Sequence, residues 1–212
     1  MFVMPLIMAA NLMVRLPDSS ASVEYAVLAE LNRARTNPAS FARSLREQRP
    51  FYRGKLFSRP GAAVYLTEEG VAPVDEAITF VSGATVELPL LPASVLTAAA
   101  VDHQVEQRDT GTVGHVGPDG STPSERVRRR GGNVYVGEVI AYGSTDPADI
   151  VRQLVVDDGV ADRGHRRLLF DPALRYAGVS CGSHPVYRYM CVVTLGRTPD
   201  GQPARNGTAR RS

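Results

Sequence analysis

Val134-Tyr135-Val136-Gly137-Glu138-Val139-Ile140-Ala141-Tyr142 is the clearest strand in the chain, and one residue in it is out of place. Apolar and aromatic residues fill both alternating sets, so the strand reads as covered on both faces and central in its sheet. Alternation puts Glu138 on the face shared by Val134, Val136, Ile140 and Tyr142. A lone carboxylate there carries a large desolvation cost. It needs a partner: a histidine, a metal or backbone N–H groups. The plainer alternative is a glutamate that ties down a neighbouring loop.

Candidate partners flank the strand on both sides. Upstream, the glycine-rich loop from Gly111 to Gly120 carries His115 between Gly114 and Gly117, where another backbone can approach closely. Downstream, Thr145-Asp146-Pro147 opens a helix running to about Val156. Asp157 and Asp158 then fall at its C-terminal end, where negative charge is unfavourable. Arg163, Arg166 or a metal would offset that charge, and a salt bridge to Arg163 is the plain reading. His165 follows in Arg163-Gly164-His165. Two imidazoles and two carboxylates can hold a divalent metal or run acid–base chemistry.

The other two histidines read differently. Pro92 opens a helix to about Arg108, with Leu96, Ala99, Ala100, His103 and Gln107 on one face, so His103 is expected to be a packed, hydrogen-bonded structural residue. His184 falls in the expected turn Gly182-Ser183-His184-Pro185 and reads as exposed.

Further helices are expected from Ser19-Ser20 to about Thr36, from Asn37-Pro38 to about Gln48, and from Pro73 to Ser82. Residues 49 to 66, punctuated by Pro50, Gly54, Pro60 and Gly61, read as a long ordered loop. Ser121-Thr122-Pro123 caps a helix that ends at Gly131-Gly132. Arg126 and Arg128 to Arg130 lie in its last turns, where cations suit the helix dipole. Leu174 to Gly182 and Val186 to Leu195 read as an antiparallel hairpin.

The totals bound the class. The chain has 212 residues, 43% hydrophobic and 22% charged, which supports one domain with a real core. The formal net charge of +2 gives no reason to expect a nucleic-acid partner. Lys55 is the lone lysine among 24 basic residues, but the arginines lie along the whole chain rather than in a patch. Cys181 and Cys191 are too few for a disulfide scaffold; a single bridge across the hairpin or two small buried hydrophobes both fit. Residues 1 to 18 form an apolar N-terminal segment, too short to span a bilayer and similar to a signal peptide without its basic leader. A stray hydrophobic segment is the alternative. Residues 19 to 197 are the expected domain, and 198 to 212 a polar, arginine-rich tail expected to be disordered.

Several signatures are missing: HExxH, paired cysteines at zinc spacing, a GxSxG elbow, a Walker loop and GxGxxG. No serine or cysteine is marked as a nucleophile.

Taken in order, the blocks resemble the CAP superfamily, the cysteine-rich secretory, antigen 5 and pathogenesis-related 1 proteins that share the SCP domain. The similarity covers residues 23 to 197. Leu28-Ala29-Glu30-Leu31-Asn32-Arg33-Ala34-Arg35 with Asn37-Pro38 resembles the opening helix of bacterial members. Leu96-Thr97-Ala98-Ala99-Ala100-Val101-Asp102-His103 resembles their next helix. Gly114-His115 with Asp119-Gly120-Ser121 and Arg126, Gly137-Glu138-Val139-Ile140-Ala141, and Arg163-Gly164-His165-Arg166 are similar to the family's site blocks. Departures are visible: Val139 replaces the asparagine after the family glutamate, Leu154 replaces an aromatic, and the fourth acid is an aspartate, Asp157, with Asp158 competing for the position.

The resemblance implies an α+β fold, a three-layer α-β-α sandwich around a mainly antiparallel sheet. It implies a cleft of His115, Glu138, Asp157 and His165, with His115 and His165 as ligands of a divalent cation, zinc foremost. It further implies an exported protein, extracellular or periplasmic, that binds a small lipid-like or peptide ligand without catalysis. A metal-dependent hydrolase with Glu138 as general base is one alternative. A structural cell-envelope protein with a vestigial site is another, favoured if Asp157 points away from the histidines. No membrane span and no nucleic acid are expected, and oligomeric state is not legible.

Overall fold

A computed structural model describes residues 19–61 and 64–203. The apolar segment from Phe2 to Val14, with its expected export signal, lies outside the described residues.

Local signals set the helices. Helix α1 (Ser19–Thr36) buries Val27, Leu31 and Ala34, spaced to fall on one face. Helix α2 (Pro38–Gln48) starts where the Asn37 side chain accepts the Ser40 N–H at 3.1 Å, with Pro38 in the first turn. Helix α3 (Ala72–Gly83) buries Val74, Ala77 and Val81. Helix α4 (Ser94–Thr110) stops at Gly111 in the left-handed conformation. Helix α5 (Pro123–Arg129) has a full capping box between Thr122 and Glu125. Helix α6 (Pro147–Val156) is capped by Asp146, and α7 (Gly164–Leu169) is a short helix after a tight turn.

The main sheet has strand order β4-β6-β7-β5, from β4 (Leu91–Pro92), β5 (Val136–Tyr142), β6 (Tyr176–His184) and β7 (Arg188–Gly196). Only the short β4–β6 pair is parallel; the others are antiparallel. Alternation along the strands feeds two cores. Val139, Ala141, Val179, Val193 and Leu195 pack with α1, α2, α3 and α6. Ile140, Met190 and Val192 turn the other way, onto Ala100 of α4. The result is the expected three-layer α-β-α sandwich.

On the α4 side, the sheet is kept thin by glycine. A Cβ at Gly178 would fall 2.0 Å from the Thr97 backbone nitrogen, and one at Gly182 would collide with the Gln104 side chain. The helix therefore lies almost on the strand, which fixes where His103 and Gln107 point.

Four expectations need correction. The strand read as central, β5, is an edge strand paired only with β7; α6 and α7 cover it, so it looks apolar on both sides without having two strand neighbours. Residues 49–66 hold a short 3-10 turn (Arg49–Phe51) and a three-stranded antiparallel sheet of β1 (Tyr52–Arg53), β2 (Leu56–Phe57) and β3 (Tyr65–Leu66). Strands of two residues are too short for alternation to show in a sequence; what holds them is Phe57, packed 4.8 Å from Tyr52 and 4.9 Å from Tyr65 between ring centroids. The helix expected from Pro92 begins at Ser94, because Leu91 and Ala93 donate their N–H groups to Arg175 and Ala177 in sheet pairing. His184 is not an exposed turn residue: β6 continues through it, the turn moves on to Pro185–Tyr187, and the buried imidazole meets the Thr112 carbonyl at 3.0 Å.

Cys181 and Cys191 face each other across the hairpin and form a disulfide. Part of the tail expected to be disordered is in place: Asp200 and Gly201 accept the N–H groups of Asn133 and Tyr135 through their carbonyls. Residues 204–212 lie outside the described residues. No helix among the described residues is long and apolar enough to cross a membrane.

Candidate functional site

Glu138 is 6% exposed, and its partners answer the question that the sequence raised. Arg126 Nη2 donates to both carboxylate oxygens, at 3.1 and 2.9 Å. His115 Nδ1 donates to Oε1 at 3.0 Å. The same Arg126 guanidinium donates to the His115 carbonyl at 3.0 Å and to the Ser121 carbonyl at 2.8 Å. One buried arginine thus neutralises Glu138 and holds both the backbone and, through Glu138, the ring of His115.

A second set of bonds fixes the loop that bears His115. The Tyr142 hydroxyl donates to Gln107 Oε1 at 2.8 Å and accepts the Gly114 N–H at 3.1 Å. Gln107 Nε2 donates to the Gly114 carbonyl at 2.6 Å. His103, fully buried beside Gln107, contacts Glu106 at 3.1 Å and is a packed, hydrogen-bonded residue. Burial raises the Tyr142 hydroxyl above its ordinary pKa, which keeps it a donor to Gln107.

The other half of the site is built at the end of α6. Asp157 caps that helix in the left-handed conformation, φ 60°. Aspartate tolerates this region better than most residues. The geometry turns its side chain to α7, where it accepts the His165 N–H at 2.9 Å, the Arg166 N–H at 3.3 Å and His165 Nδ1 at 2.7 Å. The α6 dipole problem is met elsewhere: Arg166 donates to the Val155 and Val156 carbonyls at 2.6 and 2.7 Å. Arg163 does not pair with the Asp157 carboxylate; it reaches the Asp157 carbonyl and otherwise bridges Glu69 and Glu76. Asp158 points away, its carboxylate accepting the Glu68 and Glu69 N–H groups. Of the two competing acids, Asp157 is the one that meets a histidine.

All four residues therefore converge, as two carboxylate–imidazole pairs. The rings of His115 and His165 lie edge to face, 5.9 Å between centroids. A carboxylate only accepts, so each Nδ1 carries a hydrogen, and Nε2 is the nitrogen of each ring without a carboxylate partner. Carboxylates behind imidazoles in this way orient the rings and raise their basicity toward a cation.

The donor set decides what kind of cation site would fit. Every oxygen of Glu138 and Asp157 already serves a ring or an arginine or backbone N–H. Among the described residues no three His, Cys, Asp or Glu side chains gather closely enough to hold a metal. The residues fit a cation held by His115 and His165 through Nε2, with water or ligand completing the shell, and not a four-ligand cage.

A cavity of about 600 Å³ adjoins the second pair, with Asp157 and His165 in its wall; His115 and Glu138 do not line it. Tyr52, Tyr65 and Leu66 of the small sheet and Ile140 of β5 supply apolar surface, and Gln153 of α6 a neutral polar group. Burial pushes the Tyr52 hydroxyl up to about 12, and the charged groups of the lining are paired: Arg152 with Asp149 and Asp158 with the Glu68 and Glu69 N–H groups. A volume of this size is typical of small-ligand sites.

Sequence reasoning missed Arg126 and Tyr142 as site residues. Arg126 sits in a basic run, and only its burial, against the exposed Arg128, Arg129 and Arg130, separates it from its neighbours.

Comparison with known proteins places these features. A family model described as CAP, the cysteine-rich secretory protein family, matches residues 28–195. An extracellular protein containing an SCP domain from Bacillus anthracis is 21% identical, over 51% of this chain and 34% of that one, with a TM-score of 0.43. This chain thus spans about a third of the length of the Bacillus protein. An outer surface protein from Borrelia burgdorferi is 17% identical, over 51% of this chain and 77% of that one, also with a TM-score of 0.43. No curated protein matches. The family match runs from the middle of α1 to the end of β7 and takes in all four residues of the two carboxylate–imidazole pairs, so the chain belongs to the CAP family.

Proposed function

We propose that this domain is an exported, non-enzymatic binding module whose cleft takes a small lipid-like or peptide ligand, with His115 and His165 able to hold a divalent cation such as zinc. The observation that carries this reading is the pairing of each imidazole with a buried carboxylate, the two rings lying 5.9 Å apart between centroids, with the Asp157–His165 pair in the wall of a largely apolar cavity. Asp157 turns toward His165, which speaks against a vestigial site. The Cys181–Cys191 disulfide suits an oxidising compartment, extracellular or periplasmic.

A metal-dependent hydrolase fits less well. It needs a carboxylate free to take a proton from bound water. Glu138 is held by Arg126 and His115 with its side chain 1% exposed, and Asp157 is held by three N–H groups.

Zinc calorimetry on the whole chain, beside His115→Ala and His165→Ala, tests the cation half of this reading. Micromolar binding by the parent, lost in both variants, is expected. Equal binding by all three chains would sink it.

A further inference from the structure

The outer edge of β5 offers more than a wall. Its register with β7 runs from Val136 opposite Gly196 to Tyr142 opposite Met190, and Gly143 continues it by donating to the Tyr189 carbonyl at 2.8 Å. In an antiparallel ladder, residues that exchange both bonds with the partner alternate with residues that turn both groups away. Gly143 sets the phase. Gly137, Val139 and Ala141 bond inward to β7, whereas Glu138, Ile140 and Tyr142 turn N–H and C=O outward. Among the described residues, no backbone or side-chain group bonds to the outward N–H or C=O of Ile140 or Tyr142. Edge N–H and C=O groups without a chain partner are a template for pairing with another strand.

The 600 Å³ cavity lies along that edge. Ile140, Ala141 and Tyr142 all line it. The side chains of Ile140 and Tyr142 point to the α4 layer and that of Ala141 to the opposite layer. A cavity touching all three borders the edge of the strand and neither face alone. His165 stands at the Glu138 end, through its contact with His115, and Tyr187 stands at the Tyr142 end, 5.1 Å between ring centroids.

We propose that this edge takes an extended peptide segment of a partner protein, added to the sheet as a strand beside β5. This rests on the reading of the cleft as a ligand site and names its ligand class. The outward groups of Ile140 and Tyr142 repeat every two residues, about 6.8 Å along the strand. A peptide backbone repeats its donors and acceptors at that interval; an acyl chain or sterol has no such series. Charge points to a neutral segment. In the facing wall, Arg152 is paired with Asp149 and Tyr65, and Asp158 is taken by backbone N–H groups. Tyr52, Tyr65 and Leu66 then receive an apolar or aromatic side chain of the segment.

Amide exchange measured by NMR on the whole chain tests this. Without peptide, the Ile140 and Tyr142 amides are expected to exchange roughly tenfold or more faster than those of Val139 and Ala141. The probe is an acetylated, amidated hexapeptide of alternating valine and threonine. It should slow Ile140 and Tyr142 and leave Val139 and Ala141 unchanged. An analogue N-methylated at every second residue keeps one clean edge and should act alike; one methylated at every residue should not. Gln153→Trp, which fills the cavity from α6, should abolish the slowing with the thermal midpoint held.

Slow exchange at these two amides in the peptide-free chain overturns the proposal, whether a second copy or another segment of this chain covers the edge. So does equal action by the fully methylated peptide, or slowing that survives Gln153→Trp. Oleate binding that leaves both amides unchanged, with no response to the hexapeptide, overturns the peptide assignment while the cleft reading stands; zinc calorimetry reports on the histidines apart from either.

Discussion

Arg126 and Glu138 form an ion pair in which both side chains are 1% exposed, and His115 is held by both partners. Removing one member leaves the other buried and charged, which costs about 3–5 kcal/mol. Arg126→Met and Glu138→Leu are each expected to lose that much in urea unfolding. The double variant should lose clearly less than the two combined, because no orphan charge remains. Additive losses would show that the pair does not act as a unit.

The pair also shows where the sequence stops being informative. Glu138 announces a buried partner because alternation in a strand is strict. Its partner does not announce itself, since a seven-residue helix holding Arg126, Arg128 and Arg129, with Arg130 at its C-cap, gives no period by which to tell the inward arginine from the outward ones. The helices were legible because proline, asparagine, threonine and glycine mark their ends locally. The edge position of β5 was not, because helices and a cavity wall bury an edge strand as thoroughly as strand neighbours do. Asp157 was separable from Asp158 only by its left-handed backbone, a conformation set by the turn into α7.

Asp157 makes a sharper test of the site than the histidines do. Asp157→Gly accepts φ 60° without strain but deletes three charge-assisted bonds. A loss of roughly 2–4 kcal/mol is expected, together with release of the His165 ring, seen as collapse of its distinct imidazole shifts. Asp157→Asn keeps the backbone preference and one acceptor oxygen and should fall between. A Gly variant with unchanged His165 shifts would mean that packing, not Asp157, orients the ring.

The loop from Asp157 to Arg163 is tied by charge to Glu69, ahead of α3, and to Glu76 within it. Hydrogen bonding from Arg163 first, and from the Gly159 N–H second, holds Glu69 at about 2 against an ordinary value of 4.5. Arg163 likewise lowers Glu76. A carboxylate with a depressed folded pKa contributes its full stability above its unfolded value and loses it as pH falls through the folded one. The tether should therefore hold at pH 5 and weaken between about 4.5 and 2. Arg163→Gln should bring the acid transition of this loop upward, read by exchange of the Gly159 amide. An unmoved transition would remove Arg163 as the cause.

The disulfide closes a hairpin with its cysteines ten residues apart in sequence. By loop-closure entropy such a bridge adds roughly 2–3 kcal/mol. Cys181→Ala/Cys191→Ala should lower unfolding stability by about that amount while leaving zinc binding unchanged, since both cysteines sit in the β6–β7 hairpin and neither lines the cavity. Loss of zinc binding in a folded double variant would show that the hairpin positions the cleft.

Among the described glycines, Gly178 lies closest to a neighbouring backbone. An added Cβ would sit 2.0 Å from the Thr97 nitrogen and 2.1 Å from the Leu96 carbonyl carbon, both backbone atoms of α4 that cannot rotate away. Gly178→Ala must therefore push α4 off β6. Because α4 carries His103 and Gln107, and Gln107 holds both Tyr142 and the Gly114 carbonyl, the displacement passes to the loop bearing His115. A loss above about 4 kcal/mol or failure to fold is expected. The neighbouring Gly182→Ala meets only the Gln104 side chain and should cost less, with Gln104→Ala restoring it. Equal tolerance of alanine at both positions would mean that α4 rides loosely on the sheet, and that the geometry of His115 is set by Arg126 and Glu138 alone.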